Sequence, residues 1–171
     1  MISEYLRNDP IAILITHGHN DHTAYLNEYI QQYPNINVLG HPDSFIRESN
    51  PHFKKIEDNQ GFIIGEMNFK GIHTPGHFFD SICYQLSPVL FTGDTIFIGR
   101  TGRIKGSKSN IEDLYRSVYD KILKMPKNMR IYPGHDYGDK PTMTLGENIK
   151  HSPLLRAKDL KDFRMISQLQ R

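Results

Sequence analysis

Short apolar runs separated by polar segments dominate the first part of the chain. Residues 11–15 and residues 36–39 are continuous apolar or nearly apolar runs, typical of strands buried on both faces. Between them, apolar residues recur at helical spacing from Leu26 to Tyr33, and Pro34 ends the pattern. Residues 48–61 carry little pattern, so we predict a loop there.

Between Phe62 and Phe91 the sequence pattern changes to short runs that are typical of β-strands. Residues 67–71 and 82–86 alternate between apolar and polar side chains, which predicts half-buried strands. After the Ser87-Pro88 turn a further strand begins at Val89. The following segment, 92–109, is rich in Gly, Thr, Ser, Lys and Arg and is predicted to be loop.

Helical patterns mark the second half of the chain. Ser109–Glu112 has capping-box spacing and precedes apolar residues at helical period, which end at Pro126. A brief strand is expected at 130–132, a second capping box at Thr144–Glu147, and a C-terminal helix beginning at Ser152-Pro153. Alternating strands and helices in 171 residues predict a single α/β domain spanning residues 1–171.

Composition narrows the classes of function. The net charge of +2, from 21 basic and 19 acidic residues, is too balanced to indicate a nucleic-acid or anionic membrane partner. No apolar run approaches the roughly 20 residues of a membrane helix, and the N-terminus lacks a signal-peptide pattern. The single cysteine, Cys83, excludes an intrachain disulfide and a cysteine-rich zinc site. We therefore expect a cytoplasmic globular protein.

Five of the nine histidines, together with two aspartates, form a group of candidate metal ligands. The segment Thr16–His22 offers four ligand-type side chains, and each of three later segments places one more beside a glycine. These candidates are His17, His19, Asp21, His22, His77, Asp94 and His135. All follow predicted strands, where sites are assembled in layered α/β proteins. So many titratable groups together are costly unless a cation compensates them, and imidazole and carboxylate suit zinc, iron or manganese.

The other four histidines lack this context. His41, His52 and His151 are expected to be surface or hydrogen-bonding residues, the commoner role of a single histidine. His73 is a candidate for supporting His77, because the two are close in sequence.

The four ligand-bearing segments resemble the signature of the metallo-β-lactamase superfamily, and within it glyoxalase II and the related persulfide dioxygenases, over roughly residues 11–150. The resemblance implies an αββα sandwich with the site at one sheet edge. It also implies two divalent metal ions, zinc being favoured over iron or manganese. In the implied ligand sets, one metal has His17, His19 and His77, the second has Asp21, His22 and His135, and Asp94 bridges them with a water or hydroxide between.

The resemblance continues through Gly93–Arg103 and Pro133–Gly138. In glyoxalase II-like enzymes, a basic residue at the place of Arg103 and an aromatic hydroxyl at the place of Tyr137 contact the glutathione moiety. The alternative interpretation is that Arg103 is simply a solvent-exposed basic residue of the loop. The same interpretation is favoured more strongly for three other basic residues, Arg100, Lys105 and Lys108.

Two departures from the family pattern concern the ends of the chain. The family has a β-hairpin before the strand that leads into His17, whereas only Met1–Pro10 precede that strand here. We expect the sandwich to lack those strands and the uncovered edge to favour self-association, unless residues 1–8 fold as a covering helix. We also expect the chain to lack the C-terminal helical domain of the larger glyoxalase II enzymes, with only a short helix after Ser152, which leaves the identity of the carrier thiol open.

The resemblance implies hydrolysis of a small-molecule thioester by metal-bound hydroxide. Asp94 would bridge the metals and Asp21 would orient the water or share its proton. A mononuclear-iron persulfide dioxygenase using His17, His77 and Asp94 is the first alternative, because the sequence contains both ligand sets. A truncated, inactive metal-binding remnant is the second.

Overall fold

The computed structural model describes residues 9–48 and 50–169. The strands are Ala12–Leu14 (β1), Asn37–Gly40 (β2), Phe53–Lys55 (β3), Gly61–Ile64 (β4), Met67–His73 (β5), Ile82–Leu86 (β6), Val89–Gly93 (β7), Arg130–Pro133 (β8) and Met143–Thr144 (β9). The α-helices are Asn20–Thr23 (α1), Leu26–Gln32 (α2), Ile111–Arg116 (α3), Leu145–His151 (α4) and Leu160–Leu169 (α5). Helix α3 continues through a π-helical turn, Ser117–Lys121, and a 3-10 turn, Ile122–Lys124.

The strands form two sheets. β1, β2 and β3 make a parallel three-stranded sheet in that order. β4 to β9 make a six-stranded sheet in sequential order, antiparallel except for the parallel pair β7–β8. The segment that contains α3 connects β7 to β8, because parallel neighbours need a crossover rather than a hairpin.

The two sheets pack face to face around a shared apolar layer. Leu39 from the small sheet lies in one cluster with Phe69 and Tyr84 from the large sheet. The Tyr84 hydroxyl donates to the carbonyl of Ile15 at 2.6 Å, so a buried polar group also joins the sheets.

Helices cover the outer face of each sheet. On the large sheet, Leu90 and Ile131 belong to the same cluster as Leu114, Leu145 and Phe163 from α3, α4 and α5. On the small sheet, Leu26 of α2 packs with Ile15, Val38 and Ile46. The order of layers is helix, sheet, sheet, helix, so the predicted αββα sandwich is confirmed.

Strand β1 corrects one sequence expectation. Ala12, Ile13 and Leu14 are only half-buried rather than buried on both faces, and Ile11 beside them is 58% exposed. The physical reason is position, because among the described residues β1 pairs with a strand on one side only. The expectation of a helix over residues 1–8 lies outside the described residues.

Three other local predictions need correction. Residues 53–55 form strand β3 where a loop was predicted, because this strand pairs with β2 through backbone groups and carries two exposed lysines without apolar alternation. Asn110, not Ser109, caps α3 by accepting from the amides of Glu112 and Asp113. Pro153–Arg156 form a 3-10 turn, and α5 begins only at Leu160.

Other elements agree with the sequence pattern. The helix from Leu26, the strands at 67–73, 82–86 and 130–133, and the Thr144–Glu147 capping box are confirmed. The expectation that strand 82–86 is half-buried is wrong, because Cys83 packs in the core under the helices and Ile82 and Tyr84 pack between the sheets. None of the helices within the described ranges is long and apolar enough to cross a membrane.

Candidate metal centre

The first ligand-type segment lies between β1 and α1. After β1 the chain leaves the sheet through Ile15, whose amide still donates to Leu39 at 2.8 Å, and then enters the His17-Gly18-His19 turn. The amide of Gly18 donates to the Oδ1 atom of Asp80 at 3.1 Å. This bond joins the segment to the loop between β5 and β6, which carries His77.

Three imidazoles converge at one side of the centre. The Nδ1 atom of His19 lies 2.9 Å from Nε2 of His17 and 3.0 Å from Nε2 of His77. Ligand nitrogens at about 2.0–2.1 Å from a tetrahedral zinc ion are separated by roughly 3.3 Å. The observed nitrogen separations are therefore close to those of a three-histidine metal site.

A hydrogen bond fixes the orientation of the His77 ring. Its Nδ1 atom lies 2.8 Å from the carbonyl oxygen of Arg103, and since a carbonyl only accepts, Nδ1 must carry the proton. The Nε2 atom of neutral His77 then has its lone pair free and faces the centre. Such a partner on the far nitrogen is typical of metal-binding histidines.

A second group forms on the more open side. The Nε2 atoms of His22 and His135 are 3.2 Å apart, and His135 Nε2 is 3.2 Å from the Oδ2 atom of Asp21. The Asp21 side chain is 60% exposed, whereas the first group is largely enclosed. This side of the centre is therefore the one that solvent and small molecules reach.

Asp94 lies between the two groups at the end of β7. Its Oδ1 is 3.3 Å from Nε2 of His22, and its Oδ2 is 3.5 Å from Nε2 of both His77 and His135. The side chain is buried, and Oδ1 has no hydrogen-bond donor. A buried carboxylate oxygen without a partner is costly, and a bound cation would supply the missing interaction.

Two glycines allow this close approach of strand ends. Gly93, directly before Asp94, has φ +48°, a left-handed conformation that favours glycine. A Cβ atom at Gly134 would lie 2.5 Å from Asp94 Oδ1 and 2.8 Å from His22 Cε1. A side chain at position 134 would thus fill the space in which the ligand atoms meet.

Burial keeps the enclosed histidines in the neutral, metal-binding form. Desolvation, followed by the neighbouring His22 and His77, lowers the pKa of His17 to about 2. Burial also lowers the pKa of His77, despite the opposing bond to Arg103 and the charge of Asp94. His17 and His77 therefore resist protonation and present lone pairs to a cation.

A cleft of about 420 Å³ opens beside the centre. Tyr137 lies over one side, stacked on His135 with ring centroids 5.0 Å apart. Both sequence-predicted substrate residues, Arg103 and Tyr137, line this cleft, together with Phe97 and Lys105, to which sequence reasoning had assigned no site role.

The remaining histidines lie elsewhere. His73 donates from Nε2 to the carbonyl of Phe79 at 2.9 Å and stacks on His41 at 3.9 Å, so it supports the loop that carries His77 without facing the centre. His151 lies 3.4 Å from Asp139 on the surface. Asp80, which sequence reasoning missed, gave no signal of its own because it belongs to no ligand pattern.

All seven predicted ligand-type residues are brought together, and they fall into three overlapping groups that could hold a metal ion: His17, His19 and His77; His17, His22 and Asp94; Asp21, His22 and His135. The family model described as the metallo-beta-lactamase superfamily matches residues 1–135, which contain every one of them. The chain belongs to this superfamily.

Curated relatives in the superfamily match most of this chain but only part of their own length. The probable polyketide biosynthesis zinc-dependent hydrolase BaeB of Bacillus velezensis is 34% identical over 152 residues, covering 84% of this chain and 64% of BaeB. A hydroxyacylglutathione hydrolase of Francisella tularensis subsp. novicida is 34% identical over 128 residues, covering 74% of this chain and 49% of that enzyme.

Several solved structures share the fold. ETHE1 from Myxococcus xanthus superposes with a TM-score of 0.86 at 25% identity, covering 99% of this chain and 73% of that one. The BLEG-1 B3 metallo-beta-lactamase superposes with a TM-score of 0.75 at 27% identity, covering 90% of this chain and 79% of that one. TTHA1623, solved in a di-iron-bound form, superposes with a TM-score of 0.71 at 25% identity, covering 84% of this chain and 77% of that one.

Proposed function

We propose that this superfamily member is a metal-dependent hydrolase of thioesters that works with two divalent ions. In this proposal His17, His19 and His77 would hold one ion, Asp21, His22 and His135 would hold the second, and Asp94 would serve both. The observation that carries the proposal is Asp94 itself, a buried carboxylate that lies within 3.5 Å of His77 in the first group and of His22 and His135 in the second.

Two bound divalent ions would supply Lewis acidity, which lowers the pKa of a water molecule and polarises a carbonyl oxygen. The mixed nitrogen and oxygen donors fit zinc, and iron or manganese fit the same donors. The zinc-dependent hydrolase among the relatives supports zinc, and the di-iron form of a structural neighbour supports iron as the alternative.

The chain's own residues divide the remaining work. Asp21, which is exposed at the open side, would orient the attacking water or share its proton. The leaving thiolate of a thioester needs little acid assistance, so the proposed reaction does not require Lys105 or Tyr137 of the cleft lining to act as a general acid. Arg103 and Tyr137 line the cleft where the thiol part of the substrate would lie.

Relatives support the thioester as substrate class. Several curated relatives at 33% to 37% identity are hydroxyacylglutathione hydrolases, whose name denotes cleavage of an acyl group from a thiol. The reaction and the substrate are proposed for this chain, which spans about half of the length of those enzymes.

The iron dioxygenase is a second candidate, favoured by one part of the geometry. His17, His77 and Asp94 supply two histidines and one carboxylate, with His77 Nε2 and Asp94 Oδ2 3.5 Å apart. This donor set is typical of non-haem iron sites that use oxygen.

Paired assays on one protein preparation distinguish the candidates. Samples loaded with zinc, iron or manganese are given a hydroxyacyl thioester while thiol release is measured, and a persulfide while oxygen uptake is measured. We expect thiol release without oxygen uptake. Oxygen uptake in the iron sample alone would favour the dioxygenase, and no turnover by any metal-loaded sample would favour the inactive remnant.

A further inference from the structure

A second, larger cavity adjoins the metal cleft. It measures about 660 Å³ and shares Phe97, Arg103, Lys105 and Tyr137 with the cleft. Beyond these shared residues it extends past Arg100 to Ser167 of α5. A ligand that entered both spaces would thus place one end at the metals and the other against α5.

The wall of this cavity is positively charged. Arg100, Arg103 and Lys105 line it, and none of its lining residues is acidic. Among the described residues these three side chains have no ion-pair partner, whereas Lys121 pairs with Asp58 and Arg164 with Glu112 elsewhere on the surface. Three unpaired cations around one concave space raise the local potential and favour an anionic ligand.

The backbone that carries the two arginines is held in place. The amide of Phe97 donates to the carbonyl of Arg100 at 2.8 Å, and Ile96 forms a β-bridge with Thr101. The carbonyl of Arg103 accepts from His77 at 2.8 Å. The two arginines therefore project from a fixed turn, so less conformational entropy of the backbone is lost when a ligand binds.

We infer that this cavity binds a thiol carrier that bears phosphoryl groups, the chemistry of a phosphopantetheine thioester. The inference rests on the proposed thioesterase function and names its substrate class. A single negative charge would leave most of the cationic wall unneutralised, whereas a phosphoryl dianion can meet Arg100 and a neighbouring cation together. The neutral pantetheine arm would then run past Tyr137 and bring the thioester to the metals.

A series of substrates with one acyl group and one reacting end tests this directly. Acyl-pantetheine, acyl-phosphopantetheine and acyl-coenzyme A differ in the phosphoryl groups at the far end, and the glutathione thioester of the same acyl group is added for comparison. We expect kcat/KM to rise at least tenfold from pantetheine to the phosphorylated carriers, with the gain shrinking as ionic strength rises. Equal values for all three pantetheine thioesters, or a higher value for glutathione, would overturn the inference.

Substitutions in the cavity test whether its cationic wall causes the expected rise in kcat/KM. Arg100→Ala and Lys105→Ala should each reduce the ratio of phosphopantetheine to pantetheine kcat/KM by about two- to fivefold, since exposed ion pairs contribute little individually. Lys161→Ala on α5 is the matched control, because it removes the same charge outside the cavity. An unchanged ratio in both cavity variants would contradict the assignment.

A binding experiment separates this inference from the proposed function. Titration of coenzyme A itself into the metal-loaded protein measures the carrier site without any turnover. If no thioester is hydrolysed but coenzyme A binds, and binds more weakly to Arg100→Ala, the proposed function fails and the cavity assignment stands. If thioesters are hydrolysed but coenzyme A binds no better than pantetheine, the cavity assignment fails alone.

Discussion

At the scale of single residues, the proposed metal centre depends on side chains that are not ligands. Asp80 is nearly fully buried and accepts from the amide of Gly18, which lies between His17 and His19. Its second oxygen has no hydrogen-bond partner, and burial raises the pKa of this carboxyl group. We therefore regard Asp80 as a positioning residue for the first histidine group.

Replacement of Asp80 should weaken metal binding without touching a ligand. Asp80→Ala is expected to lower metal affinity by about 10–100-fold, as for other residues that orient ligands. Asp80→Asn keeps an acceptor for Gly18 and should recover part of that loss. Chelator competition measures both affinities, and the melting temperature of the metal-free variants controls for general destabilisation. Wild-type affinity in Asp80→Ala would contradict the role.

Substitution of Arg103 should affect substrate binding more than chemistry. Its main-chain carbonyl, not its side chain, contacts His77, so Arg103→Ala keeps the ring orientation of that histidine. Steady-state kinetics with an anionic thioester should show a raised KM and a kcat close to that of the wild type. A fall in kcat alone would mean that Arg103 has another role.

At the scale of elements, helix α5 closes the outer face of the large sheet. Phe163 is fully buried and packs edge-on against Tyr115, which belongs to α3. The same helix lines the cavity next to the metal cleft through Ser167. Packing of α5 therefore links the stability of the domain to the shape of the proposed carrier site.

Truncation of Phe163 tests this packing. Phe163→Ala should lower the free energy of unfolding by about 3–5 kcal/mol, because a large cavity replaces the ring. Met165→Ala on the same helix, with Met165 51% exposed, should change it by no more than about 0.5 kcal/mol. Urea unfolding measures both, and similar losses for the two variants would argue against the packing described.

The sequence predicted elements where burial imposes a period and missed them where it does not. β5 alternates at its start because Phe69 meets the core between exposed neighbours, and β6 was predicted from a similar alternation although its first three residues are all buried. β3 carries Phe53 followed by two exposed lysines and shows no period. The ligand-type residues were predicted because they are dense in sequence and sit beside glycines. Asp80 could not be predicted from the sequence, because its partner Gly18 lies 62 residues earlier and only the fold brings the two residues together.

At the scale of the whole molecule, the small sheet has an edge at β1 that no other described strand covers. Among the described residues β1 pairs only with β2, and Ile11 and Tyr25 beside it are 58% and 66% exposed. Unpaired backbone groups on such an edge favour pairing with another chain.

We therefore expect the 171-residue chain to self-associate, with a second copy pairing along β1. Light scattering over a dilution series should show an average mass that rises with concentration. Ala12→Pro, which removes a backbone donor from the side of β1 that faces away from β2, should shift the mass toward that of a monomer. A monomer at every concentration would contradict this expectation.

The central claim is that seven side chains, four from the His17–His22 segment and three from later loops, form one centre for two metal ions. The most direct test is elemental analysis of metal-replete protein, with anomalous scattering from its crystals to locate each ion. We predict two ions per chain in the wild type and in Lys161→Ala, and loss of both in Asp94→Ala, because Asp94 faces both groups. A wild-type protein that never holds more than one ion per chain would contradict the account.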